Sequence, residues 1–198
     1  MRYNYLHYII VVLIYTGLFT QNSYSQKPDY KCILKNDTLT SENTYEFDIY
    51  LQRTGPVQFE LGGIQFGILY NADILNGGNL TASYVPGSVD ASIIASGQQN
   101  KLFNTATPGV IKISANLATK GHGSGAIISS KSPGTKVGRL RIINSVPFAP
   151  YKANISLNFK LHPYPSKISA YIGSINTEIT DSTKYTITLR NSVLSRKR

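Results

Sequence analysis

Apolar and polar residues alternate with a period of two over long stretches of this chain. Within residues 45–52, Tyr45, Phe47, Ile49 and Leu51 fall on one face and Glu46, Asp48, Tyr50 and Gln52 on the other, which predicts a half-buried strand. Ile111, Ile113, Ala115 and Leu117 alternate with Lys112, Ser114 and Asn116 in the same way. So do Ile155, Leu157, Phe159 and Leu161 with Ser156, Asn158 and Lys160. Ile64, Phe66, Ile68 and Tyr70 alternate with Gln65, Gly67 and Leu69, so this strand is expected to be covered on both faces. Shorter strands are predicted at residues 80–85, 126–130, 137–143, 168–172 and 185–189. No stretch carries a convincing helical period.

Turn chemistry separates these segments: Thr54-Gly55-Pro56, Asn76-Gly77-Gly78-Asn79, Pro86-Gly87, Thr107-Pro108-Gly109 and Ser132-Pro133-Gly134. Glycine supplies positive φ at such places and proline presets the turn. About nine strands at this spacing predict an all-β, two-sheet antiparallel sandwich, since each strand has one apolar face to bury against an opposing sheet. An up-and-down barrel is the alternative closure. The expected core includes Phe47, Ile49, Phe66, Ile68, Ile113, Leu157 and Phe159.

The N-terminus follows different rules. Arg2 precedes an apolar run from Ile9 to Phe19, after which Ser23 and Ser25 flank Tyr24 in a polar stretch. That is the pattern of a secretory signal peptide, with cleavage expected between Ser25 and Gln26. The run is about half the roughly 20 residues a membrane span needs, so no span is expected after cleavage. The domain organisation expected is a signal peptide over 1–25, one sandwich over 26–190 and a basic tail over 191–198. One cysteine, Cys32, excludes an intrachain disulfide framework and multi-cysteine zinc patterns, and is expected as a buried thiol near the first strand.

Charge is segregated along the chain, whose formal net charge is +10. Residues 26–90 hold four Lys or Arg against eight Asp or Glu, whereas residues 91–177 hold ten Lys or Arg and no acid. In an exported protein this favours an anionic polysaccharide, lipopolysaccharide or an acidic protein partner over nucleic acid. In residues 137–142, Leu140 and Ile142 are expected inward and Arg139 and Arg141 outward, about 7 Å apart. Lys112 and Lys160 also point outward from their strands. If those strands are neighbours, the four charges converge on one anion-binding face.

Catalytic patterns are weak. His122 and His162 have no His, Cys or carboxylate at ligand spacing, so no metal site and no cofactor are expected. Gly121-His122-Gly123-Ser124-Gly125 lacks the lysine of a phosphate-binding loop and the spacing of a serine elbow, so it is expected as a hairpin turn. Glu46 and Asp48 sit about 6.7 Å apart on one strand face, where alternating acids are ordinarily solvated. Sequons at Asn36, Asn79 and Asn154 matter only in a glycosylating host.

Several phrases carry a family resemblance. The run from Tyr45 through Gly55, then Phe59-Glu60-Leu61-Gly62-Gly63-Ile64-Gln65-Phe66-Gly67, then Ile74-Leu75-Asn76-Gly77-Gly78, resembles an N-terminal module of large surface proteins from bacteria with type IX secretion. Pro133-Gly134-Thr135-Lys136-Val137-Gly138-Arg139-Leu140-Arg141 is similar to the stretch that closes those modules. The module resembles the cohesin and carbohydrate-binding-module superfamily of nine-stranded sandwiches, immunoglobulin-like or jelly-roll in outline. The resemblance implies an exported, non-enzymatic cohesin-like module that docks a surface or matrix protein through an exposed sheet face. It would act at the cell surface, or in the periplasm where the C-terminal sorting domain of type IX substrates is absent. A polysaccharide-binding module and a structural spacer of a truncated surface protein are the alternatives. The chain has no tryptophan, so sugar stacking would fall to tyrosine, and Tyr50 is the one on an otherwise polar face.

Overall fold

The computed structural model describes residues 26–149, 155–162 and 166–189. The expected signal peptide and basic tail, and the sequon at Asn154, lie outside the described residues. Eleven strands are assigned among them: β1 (Tyr30–Ser41), β2 (Thr44–Arg53), β3 (Glu60–Leu69), β4 (Leu80–Tyr84), β5 (Phe103–Asn104), β6 (Val110–Leu117), β7 (Thr135–Asn144), β8 (Asn158–Phe159), β9 (Lys167–Ile172), β10 (Ile175–Glu178) and β11 (Tyr185–Thr188). The first sheet has the order β11-β1-β2-β7-β4, and the second β10-β9-β3-β6-β5, with β8 also pairing with β3. Pairing is antiparallel except between β1 and β11, which run parallel and bring the two ends of the domain side by side.

The inner faces are built by the alternation seen in the sequence. Phe47, Ile49 and Leu140 of the first sheet, and Phe66, Ile68 and Ile113 of the second, are fully buried. Leu157 and Phe159 join them, so every residue expected in the core is there. Cys32 is buried as a free thiol.

Three expectations on local structure are corrected. Residues 126–130 form no strand, because their backbone bonds are divided between sheets. Leu61 N–H donates to Ala126 O and Ile128 N–H to Phe59 O, but Arg53 N–H of β2 donates to Ser129 O, so the segment crosses from one sheet to the other. The strand expected over 155–161 shrinks to β8, since Ser156 takes φ 48° and breaks the extended run. One short helix, α1 (Ala91–Ala95), is present. Its cap is legible in retrospect: the Asp90 carboxylate accepts from Ser92 N–H at 2.9 Å, an ordinary N-cap contact. Five residues are too few to show a helical period.

Side-chain amides complete the ladder where strands fall short. Gln98 donates from Nε2 to Leu61 O at 2.8 Å and accepts from Ala126 N–H at 3.0 Å. Asn116 donates to Gly97 O and Gln99 O at 2.8 and 2.7 Å. The Gln98 contacts are buried and satisfy backbone groups that would otherwise be left unpaired, a loss of about 1–3 kcal/mol each.

Candidate binding faces

On the outer face of the first sheet, β2 and β7 are paired so that Glu46 lies opposite Arg141, Asp48 opposite Arg139 and Tyr50 opposite Lys136. A register shift between Ile49 and Tyr50 keeps Lys136 and Arg139 on one face although they are three residues apart. Arg139 donates from Nε to Glu46 at 2.6 Å and from Nη1 to Asp48 at 3.0 Å, and also reaches Asn36 O at 3.0 Å. Arg141 Nε donates to Glu46 at 2.7 Å, and Lys136 Nζ lies 2.9 Å from Asp48. Glu46 and Asp48 are only 6% and 3% exposed. The acids expected to be solvated are instead buried under the side chains that neutralise them.

Burial alone would raise both carboxyl pKa values. Hydrogen bonds from Arg139 and Arg141 to Glu46, and from Asn36, Lys136 and Arg139 to Asp48, more than reverse it, and both lie below the ordinary range. Tyr50 belongs to the same cluster. Its hydroxyl donates to Asp48 at 3.4 Å, and Lys136 Nζ sits 5.8 Å above its ring. Burial and the Asp48 charge push its pKa up.

The expected convergence of four basic residues does not occur. Arg139 and Arg141 belong to the first sheet. Lys112 is on β6 of the second, and Lys160 N–H donates to Gly67 O of β3 in that same sheet at 2.7 Å. The two pairs therefore face opposite sides of the sandwich. Topology decides this, because β7 and β6 never become neighbours, and alternation within a strand carries no information about which strand lies next to it.

The outer face of the second sheet is different in kind. At its centre, β3 presents Gly62 and Gly63. A Cβ on Gly63 would come 2.5 Å from Leu117 Cδ2 and 3.0 Å from Ser169 Oγ, and one on Gly62 would collide with Asn176. Consecutive glycines inside a strand mark such a close approach. Leu117 thus lies across bare backbone while remaining 58% exposed. Tyr171 of β9 flanks the trough, its ring meeting His122 edge-on at 5.4 Å. None of Leu117, Ser169, Tyr171 or Asn176 was singled out from the sequence; Gly62-Gly63 was the available signal.

The glycine-rich loop closes one end of this face. Gly123 and Gly125 donate backbone N–H bonds to the two Glu60 carboxylate oxygens at 3.0 and 2.6 Å, and His122 Nε2 lies 3.6 Å from Glu60 Oε2. The loop cradles a carboxylate of its own chain, which fixes it against β3. Backbone bonds to a charged group contribute about 1.5–3 kcal/mol. Glu60→Ala is accordingly expected to speed amide hydrogen exchange at Gly123 and Gly125 by at least about tenfold. Unchanged exchange would show that the loop is held by something else.

No protein-family model matches the chain, and no curated protein matches it. Solved structures do. The seventh ScaB type I cohesin of Pseudobacteroides cellulosolvens superposes with a TM-score of 0.51 at 11% identity, over 86% of this chain and 95% of that one. A type I cohesin–dockerin complex from Clostridium thermocellum gives 0.51 at 12% identity, over 82% and 99%. The sixth cohesin of scaffoldin B from Acetivibrio cellulolyticus, in complex with a mutant dockerin, gives 0.50 at 11% identity, over 82% and 99%. At such identities the likeness concerns the fold alone, and that fold is a cohesin-like β-sandwich.

Proposed function

We propose that this chain is an exported, non-enzymatic docking module that binds a surface or matrix protein through the outer face of its second sheet. The observation that carries this reading is the contrast between the two faces. On the first sheet, Lys136, Arg139 and Arg141 are tied to the buried carboxylates Glu46 and Asp48, and Tyr50 is drawn into the same cluster. On the second, an exposed leucine, a tyrosine and small polar side chains surround a strip of glycine backbone. A face of that composition suits a protein partner, which can seat an apolar anchor in the trough and make hydrogen bonds around it. Two of the cohesins that share the fold are seen with dockerins. The signal-peptide pattern of the N-terminus supports export. Polysaccharide binding has less support, because a lysine already covers the tyrosine expected to stack on sugar.

The test is site-specific photo-crosslinking in envelope extract of the source organism. A photoreactive residue placed at Leu117 should give a discrete protein adduct. The same residue at Ile143, exposed on the outer face of the first sheet, should give none. Adducts from Ile143 alone would move the docking face, and no adduct from either position would favour a spacer.

A further inference from the structure

The sandwich is open along one side. β4 ends the first sheet and β5 ends the second, and the two strands do not pair with each other. Between them lies a cavity of about 490 Å³, within the size range of small-molecule sites. Tyr70 and Phe103 give its lining two aromatic rings, and Asn79, Asn104 and Thr105 give it amide and hydroxyl groups. None of the described residues that line it is charged.

Its walls are tied in place by the fold. The Thr105 hydroxyl donates to Leu80 O of β4 at 2.6 Å, which joins the segment after β5 to the opposite sheet. Asn104 Oδ1 accepts from Ala106 N–H at 3.0 Å, and Tyr70 N–H donates to Gly109 O at 3.0 Å. Two polar atoms at this wall nevertheless bond to nothing in the fold. Tyr70 is 5% exposed and Asn144 is fully buried, yet the Tyr70 hydroxyl and Asn144 Oδ1 have no hydrogen-bond partner among the described residues. Asn144 stands directly behind Gly78 of the lining, where a Cβ would collide with that same oxygen. The hydroxyl of Tyr84, whose ring meets Phe103 edge-on at 5.2 Å, is unpartnered as well. A buried polar atom left unpaired costs about 1–3 kcal/mol, and such atoms gathered around one cavity are a reason to place a ligand there.

We infer that this cavity binds a neutral saccharide unit. An uncharged lining disfavours an ionic ligand, because a charge taken out of water needs a partner. Amides and hydroxyls beside aromatic rings match a sugar, which offers hydroxyls around its rim and C–H groups on its faces. The site is separate from the docking face. Pro108 of the lining lies next to the Val110 end of β6, whereas Leu117 closes the other end, about 23 Å away by strand rise. The inference therefore stands or falls independently of the docking reading.

The test follows the isotope-labelled protein by heteronuclear NMR during titration with D-galactose, D-mannose, N-acetyl-D-glucosamine and cellobiose. Sodium D-glucuronate is the charged sugar and glycerol the polyol control. At least one neutral sugar is expected to shift the backbone amides of Tyr70, Asn79 and Asn104 saturably, while glucuronate and glycerol do not. Asn104→Ala, at an exposed position, should weaken that binding at least about tenfold. Tyr70→Phe should weaken it about threefold or more without lowering the melting temperature, because the hydroxyl it removes bonds to nothing within the fold. Tyr50→Ala, on the outer face of the first sheet, should leave it unchanged. Three results would overturn the inference: no saturable shift with any neutral sugar, shifts that both cavity variants leave intact, or equal affinity for glucuronate. Loss of sugar binding in Tyr50→Ala alone would move the sugar to the first sheet and overturn it too.

Discussion

Arg139→Met is expected to destabilise the domain by about 3 kcal/mol, the lower end for breaking a buried ion pair on one side. The thioether keeps most of the aliphatic stem in place, so the loss reports charge rather than packing. Glu46 and Asp48 would remain in a buried position with one donor fewer each. Arg141 and Lys136 still reach them, and the Arg139 side chain keeps 19% of its surface exposed, which is why the upper end of the range is not expected. The effect depends on pH with a definite sign. Both carboxyls have folded pKa values below their ordinary ones, so the folded state holds fewer protons than the unfolded chain. Their stabilisation is complete above the unfolded values near pH 4 and is lost as pH falls through the lower folded values. The gap between wild type and Arg139→Met should therefore be widest near neutrality and narrow in acid. Urea unfolding at pH 7 and pH 3 measures it; an equal gap at both would mean that the guanidinium contributes by shape alone.

Much of the sandwich was legible because its cause is local. A strand with one face in a core must alternate, and β2, β7 and β9 do so; in β6 the alternation holds for Ile111 and Ile113 but a register shift against β3 turns Leu117, expected inward with them, to the outer face. What failed was set by partners distant in sequence. Residues 126–130 have strand composition, yet they divide their bonds between Phe59, Leu61 and Arg53. β1 is not delimited by the sequence pattern, since Asn36 in the left-handed region (φ 55°) interrupts its alternation. That interruption turns Asp37 into a buried acceptor for the Tyr45 hydroxyl.

The candidate site was legible in its parts and not in its assembly. Arg139, Arg141, Lys112 and Lys160 all point outward, as period two requires. Which of them share a face is a matter of strand order, and strand order is written nowhere in a single strand. The acidic and basic halves of the chain had already hinted at the answer. A stretch with no acid of its own can bury its arginines only against carboxylates from elsewhere, and β2 carries two of them facing β7. In the second sheet Lys167 of β9 has such a partner in Glu178 of the neighbouring β10.

Phe159→Ala is expected to cost about 3–5 kcal/mol, as for other fully buried aromatic residues. Phe159 is the one side chain of the two-residue strand β8 that reaches the core, and its ring connects the two sheets. It lies 5.8 Å from the ring of Phe66 in the second sheet and 4.9 Å from that of Tyr185 in the first. Tyr185 opens β11, the strand that pairs in parallel with β1, and its hydroxyl donates to Ser166 O at 3.0 Å. Truncation at 159 therefore removes burial from both sheets and loosens the support of the last strand. Phe66→Ala should cost a similar amount. The double variant should lose less than the sum by about 0.5–1.5 kcal/mol, the coupling expected of an aromatic pair. Phe159→Leu retains much of the volume and serves where the alanine variant is too unstable to unfold reversibly. Urea denaturation with an unchanged slope reads these differences as stability. A loss below about 1 kcal/mol for Phe159→Ala would place the ring at the surface, and β8 would then be no more than a loop lying against β3.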